Sequence, residues 1–193
     1  MKKWILFASL LLLPLAVVAQ NSGQDEDEDG DNDAVAMYIG VDGCKKCHRT
    51  TKQGKQFDIW KESAHSGAYE TLKSPEAQKI ATEKGLTVAA HEAPECLKCH
   101  VAGFDVDASM KKARFAMEDG VQCESCHGPG SKYKKKSVMK DRDASIAAGM
   151  TAILVADGTA EKQCVTCHNE ESPTFKGFNF DEMWEKIAHP VPE

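Results

Sequence analysis

The chain has 193 residues, 7% of them aromatic and 28% charged, with a formal net charge of −6. That length suits one or two ordinary domains, yet no long apolar segment follows the amino terminus, so a sizeable core built from protein alone is not indicated. The acidic balance argues against a basic nucleic-acid surface, and no nucleic-acid partner is expected.

The first stretch, MKKWILFASLLLLPLAVVAQ, places Lys2 and Lys3 before an apolar run from Trp4 to Val18 and a small-residue end at Ala19. It reads as a signal peptide over residues 1–19, cleaved near Ala19. The run is short for a membrane span, and an uncleaved anchor is the alternative. Cleavage implies a periplasmic or otherwise exported protein. Residues 20–36 follow as an acidic tail around QDEDEDGDND, with nothing apolar to bury, and disorder is expected there. Once the seven tail carboxylates and the two leader lysines are set aside, 22 basic and 23 acidic residues remain, so the folded part, residues 37–193, is near neutral.

Within that part, Ala34 to Gly43 reads as an extended lead with turns at Gly40 and Gly43. Lys55 to Lys73 sets Phe57, Trp60, Ala64, Ala68 and Leu72 at helical spacing, which predicts one apolar helix face with His65 on its flank. Ser74-Pro75 breaks this pattern and starts a second helix that runs through Lys84 and ends at Gly85. Thr87 to Glu95 is a connector containing His91. Ala108 to Met117 and Asp143 to Ala156 are weaker helical candidates. Gly128-Pro129-Gly130 forces a turn, and Phe180 to Ala188 predicts a last amphipathic helix with Met183, Trp184 and Ile187 on one side. Strand signals are scarce.

Four copies of one pattern punctuate these elements: Cys44-Lys-Lys-Cys47-His48, Cys96-Leu-Lys-Cys99-His100, Cys123-Glu-Ser-Cys126-His127 and Cys164-Val-Thr-Cys167-His168. A Cys-x-x-Cys-His run suits covalent c-type haem, because two thiols add to the porphyrin's vinyl groups and the next imidazole becomes the proximal iron ligand. A single copy could be half a zinc site, a redox pair or part of a disulfide framework. Here the motifs consume all eight cysteines, and each pair is followed directly by His, a regularity that zinc and disulfide chemistry do not require. Four covalently attached c-type haems are therefore expected, and the macrocycles can supply the apolar core that the chain lacks.

Seven histidines are present, and four serve as proximal ligands, which leaves His65, His91 and His189 for the distal positions of four irons. At least one iron must take Met, another donor, or nothing. His65 and His189 end or flank apolar helical stretches, where an imidazole can reach a buried macrocycle. His91, beside Glu92, suits a surface position equally well. Among the methionines, Met139 stands out by following the basic turn after the third motif.

At these residues a resemblance becomes specific. CKKCH with WKESAH, CLKCHVAGF, GVQCESCHGPGS, and CVTCHN with a closing FDEMWEKIAH resemble the tetrahaem cytochrome c family whose best-known member accepts electrons from hydroxylamine oxidoreductase in nitrifying bacteria. The resemblance implies a mainly α fold, with short helices and long loops packed around four covalently bound haems in stacked pairs. It also implies crossed ligation, in which His65 serves the haem of Cys164, Cys167 and His168 while His189 serves that of Cys123, Cys126 and His127. The haem of Cys96, Cys99 and His100 corresponds to the family's high-spin site with an open sixth position. In the family the first haem takes a distal His located after the third motif. This chain has no His between His127 and His168, so Met139 or His91 replaces it, or that iron is open too.

The expected function is an exported electron relay between a donor and an acceptor redox protein, with the protein controlling haem orientation, axial ligation and dielectric. One alternative is binding or reduction of a nitrogen oxide at an open iron, and no catalytic acid or base is assignable for it. Another is a subunit of a larger conductive or respiratory assembly, which would bring association with membrane respiratory complexes. Lys132, Lys134, Lys135 and Lys136 form either a docking patch for an acidic partner or a solvated loop.

Overall fold

Ten short α-helices and five 3-10 turns make up the regular structure of residues 34–192, the part of the chain that the computed structural model describes. The signal-peptide reading of residues 1–19 and most of the acidic stretch 20–36 lie outside the described residues. The helices are α1 (Val41–His48), α2 (Gln56–Glu62), α3 (Ala68–Thr71), α4 (Pro75–Glu83), α5 (Pro94–His100), α6 (Cys123–His127), α7 (Lys136–Met139), α8 (Arg142–Ala147), α9 (Thr159–Cys164) and α10 (Phe180–Ile187). None exceeds nine residues. Among the described residues no strand forms, and the nearest approach is an isolated parallel bridge between Tyr38 and Lys111. The fold is thus mainly α with long connections, as expected.

Three sequence-based helix assignments need correction. The pattern from Lys55 to Lys73 is not one helix but three pieces: α2, a 3-10 turn over Ala64–Gly67, and α3. Ser63 interrupts it in extended conformation, at φ −82° and ψ 161°. The His65 carbonyl, which accepts the Ala68 N–H at the end of the turn, also accepts the Val121 N–H at 3.0 Å, while the Trp60 indole donates to the Val121 carbonyl at 2.8 Å. A tertiary partner therefore outweighs the local helical periodicity. The candidate from Ala108 to Met117 is a 3-10 turn over Ala108–Met110 and then a loop. There Tyr38 N–H donates to Met110 O and Lys112 N–H to Tyr38 O, both at 2.8 Å, which draws the backbone away from helix. The candidate from Asp143 to Ala156 shortens to α8, because Gly149 turns left-handed at φ +101°.

The lead read over Ala34 to Gly43 ends at Gly40, because Val41, Asp42 and Gly43 form the first turn of α1, and α5 starts inside the predicted connector at Pro94; the second and last helices form where expected. Ser74 caps α4 by accepting the Ala77 N–H at 3.2 Å with Pro75 in the first turn, and Gly85 at φ +71° follows its end. Asn179 caps α10 in the same way through the Glu182 N–H.

The apolar core is small. Leu72, Ala81, Ala90, Leu97 and Val101 form its centre, with Tyr69, Phe104 and Met117 packed against it. Burial of Leu72, Leu97 and Val101 contributes about 1.5–3 kcal/mol each. Helix α5, which carries the second motif, is held here through Leu97. By contrast α10 buries no residue fully, although Phe180 stacks on Trp184 at 5.8 Å and Met183 is 37% exposed.

Candidate haem-attachment site

Each motif sits on or beside a short helix, which turns its two thiols and its imidazole to one side. The first spans the end of α1, the second ends α5, the third is α6, and the fourth begins at the last residue of α9. Behind the third motif, Gly128 at φ +77° and Pro129 turn the chain, and the buried Tyr133 hydroxyl ties the turn by donating to the Gly128 carbonyl at 2.6 Å.

The cysteines of different motifs lie close together. Cys44 and Cys123 lie close enough to perturb each other's ionisation, which brings motifs one and three together. Cys99 lies close to Cys167, bringing motifs two and four together, and the same two segments are tied by the Lys98–Glu171 ion pair. Cys126 lies near Cys164 and Cys167, and the Gln163 side-chain amide donates to the Ser125 carbonyl at 3.1 Å, so motifs three and four also adjoin. The attachment sites therefore run in the spatial order one, three, four, two. Burial first, then Cys167, pushes the Cys99 thiol up to about 11, and burial does the same for Cys126. The neighbouring Cys123 and burial also push Cys44 up. Cys44, Cys99 and Cys126 are thereby held as thiols, which carry both the sulfur and the hydrogen that addition across a vinyl double bond consumes, whereas the neighbouring Cys44 lowers the pKa of Cys123.

Two histidine pairs face one another. His65 and His168 have ring centres 6.1 Å apart, and His127 and His189 also 6.1 Å. Two imidazoles on opposite sides of one metal, each nitrogen about 2.0–2.1 Å from it, hold their ring centres roughly 6 Å apart. The crossed pairs implied by the resemblance are thus at a spacing that fits an iron between them.

The remaining ring nitrogens are also arranged for ligation. The Nδ1 of His100 lies 2.8 Å from Ala68 O, that of His127 3.0 Å from Thr151 O, and that of His189 2.7 Å from Ile187 O. A carbonyl only accepts, so Nδ1 carries the proton in all three and the Nε2 lone pair is left for a metal. His48 makes a longer contact of 3.3 Å with the side-chain oxygen of Gln56. Burial, and then His168, lowers the pKa of His65, and burial lowers that of His127, which favours the neutral imidazole that metal ligation needs. His168 also stacks on Phe178 at 4.9 Å and 19°, which fixes its ring plane.

The structure sets the other two candidates apart from these pairs. His91 stands edge-on to Tyr69 at 6.5 Å, with its Nδ1 buried and unpaired. Met139 closes α7, where its N–H donates to Lys135 O at 2.8 Å. Among the described residues His91 makes no ring contact with His48 or His100. Within the lysine stretch, the exposed Lys132 Nζ donates to Ala34 O at 3.0 Å. Sequence reasoning did not find Gln56, Phe178 or the carbonyls of Ala68 and Thr151. Backbone acceptors leave no residue-type signal, and Phe178 sits at no diagnostic spacing from His168.

A family model described as cytochrome c554 and c-prime matches residues 43–128, a span that takes in the first three motifs. The Nitrosomonas europaea protein Cytochrome c-554 is 30% identical over 190 aligned residues, covering 80% of this chain and 74% of the relative. No solved structure matches the chain.

Proposed function

Because the chain belongs to the cytochrome c-554 family, an electron-carrying group of c-type cytochromes, we propose that it holds four covalent haems and relays electrons between two redox proteins outside the cytoplasm. The observation that carries this reading is the presence of two facing imidazole pairs, His65 with His168 and His127 with His189, each at 6.1 Å and each joining a motif histidine to a distant residue. Cys44, Cys47, Cys96, Cys99, Cys123, Cys126, Cys164 and Cys167 would attach the groups, and His48, His100, His127 and His168 would ligate their irons. Bound there, the haems supply irons that exchange single electrons between the ferric and ferrous states.

The chain's own residues do the rest. Nδ1–H donation from His100, His127 and His189 to carbonyls fixes each ring and raises its basicity as a ligand. His189 and His65, facing His127 and His168, would hold the third and fourth groups from the other side and would keep water and small molecules from them. The closeness of thiols from motifs one and three, three and four, and two and four supports a continuous series of sites, with the first and second motifs at its ends. The leader with Lys2 and Lys3 supports export to the periplasm. Donor and acceptor are redox proteins docking near the two ends, and association with a membrane respiratory complex would supply one of them.

Electron paramagnetic resonance of the oxidised protein tests this reading. Two low-spin bis-imidazole signals are expected, with His65→Ala and His189→Ala each converting one of them to high spin. Retention of both signals in either variant would refute the ligand assignment.

A further inference from the structure

Attachment of a c-type haem uses the two cysteines and the histidine of a motif and leaves the intervening positions free. In the first, second and fourth motifs the residue after the first cysteine is Lys45, Leu97 and Val165; in the third it is an acid, Glu124, only 2% exposed. Its Oε1 accepts the Gly130 N–H at 2.7 Å and the Ile39 N–H at 2.9 Å, and its Oε2 accepts the Gly40 N–H at 2.8 Å and shares that of Ile39 at 3.1 Å. A carboxylate is costly to bury unless such donors replace water, and backbone N–H groups are among its strongest partners.

The donors belong to two segments that carry different motifs. Ile39 and Gly40 directly precede α1, which holds Cys44, Cys47 and His48, and Gly40 is its N-cap at φ +76°. Gly130 closes the turn behind Cys123, Cys126 and His127. The packing leaves little slack around this junction. A Cβ on Gly43 would lie 2.6 Å from Ile39 Cδ1, and one on Gly130 would lie 2.9 Å from the same atom and 3.2 Å from Glu124 Oε1. Ile39 itself is 3% exposed.

We propose that Glu124 is a positioning residue that sets the mutual orientation of the first and third haems by clamping the start of α1 to the third motif. The inference rests on the four-haem reading above and adds to it a residue outside the attachment and ligand sets. An aspartate keeps the charge but is one methylene shorter, so it cannot reach both Gly130 and the Ile39–Gly40 pair. A glutamine keeps the length but turns one oxygen into an N–H donor, which would face one of the donor segments and release it.

Circular dichroism in the Soret band of the haem-loaded full protein tests the clamp, because closely spaced haems give a two-signed band whose amplitude follows their relative orientation. Glu124→Gln and Glu124→Asp are each expected to lower that amplitude roughly twofold, one of the two stacked pairs being loosened, while the exposed control Glu83→Gln leaves it unchanged. Unchanged amplitude in both Glu124 variants at full haem content overturns the clamp. If the variants mature incompletely, peptide mass mapping decides: unloaded first and third motifs support the clamp, and losses confined to the second and fourth overturn it. A wild-type protein lacking the two-signed band would instead refute the stacked four-haem reading itself.

Discussion

Substitution of Gly120 by alanine probes the junction between the third motif's lead and His65, the proposed partner of His168. Gly120 has φ +69° and ψ −137°, a conformation that side-chain-bearing residues rarely adopt. A Cβ built there lies 2.7 Å from the His65 carbonyl oxygen and 3.2 Å from the Ala68 nitrogen. The His65 carbonyl cannot simply retreat, because it accepts the Val121 N–H at 3.0 Å. Backbone strain of this kind costs about 1–3 kcal/mol, before any displacement of the 3-10 turn that carries His65. A loss of about 2 kcal/mol corresponds to a fall of about 4–8 °C in the thermal midpoint for a domain of this size. The same shift pulls His65 from its place opposite His168, so the oxidised Gly120→Ala protein should gain a high-spin signal at one site. Thermal melting followed by haem absorbance, with paramagnetic resonance on the same samples, reads both effects. A wild-type midpoint with a wild-type spectrum would refute the reasoning.

Three further outcomes follow from the same geometry. Trp60→Phe removes the indole donor to the Val121 carbonyl and should cost about 1–2 kcal/mol in denaturant unfolding, with haem content unchanged. Burial, and then His168, lowers the pKa of His65 below its ordinary value of 6.5, so the neutral ring persists below that pH even without a metal, and an iron competing with the proton for the same nitrogen extends the neutral range further; the contribution is present above 6.5 and lost as pH falls through the depressed folded value. Acid titration should therefore show the fourth site still low-spin at pH 6.5, and half-conversion already at 6.5 would contradict this. Met139→Ala and His91→Ala, compared by carbon monoxide binding to the reduced protein, test the first and second sites: added binding marks the residue replaced as a distal donor, and wild-type binding in both excludes each.

The motifs were legible because their chemistry is local: two thiols and an imidazole within five residues declare themselves in any fold. The His65 and His189 pairings came through resemblance, since no periodicity links His65 to His168 across a hundred residues of chain. The mainly α fold with short helices followed from Pro75, Gly85 and Gly128, whose backbone preferences act within a turn. What escaped was tertiary. The break at Ser63 depends on Val121 arriving to bond His65 and Trp60, and the loop after Met110 depends on pairing with Tyr38. Glu124 was visible as an acid between two cysteines, but only the positions of Ile39, Gly40 and Gly130 explain why it is buried.

The intact mass of the purified mature protein tests the central claim most directly. Four covalent haem additions are expected, with all eight cysteines inert to a thiol-alkylating reagent under denaturing conditions. Fewer than four additions, or any cysteine that remains open to alkylation, would contradict the account.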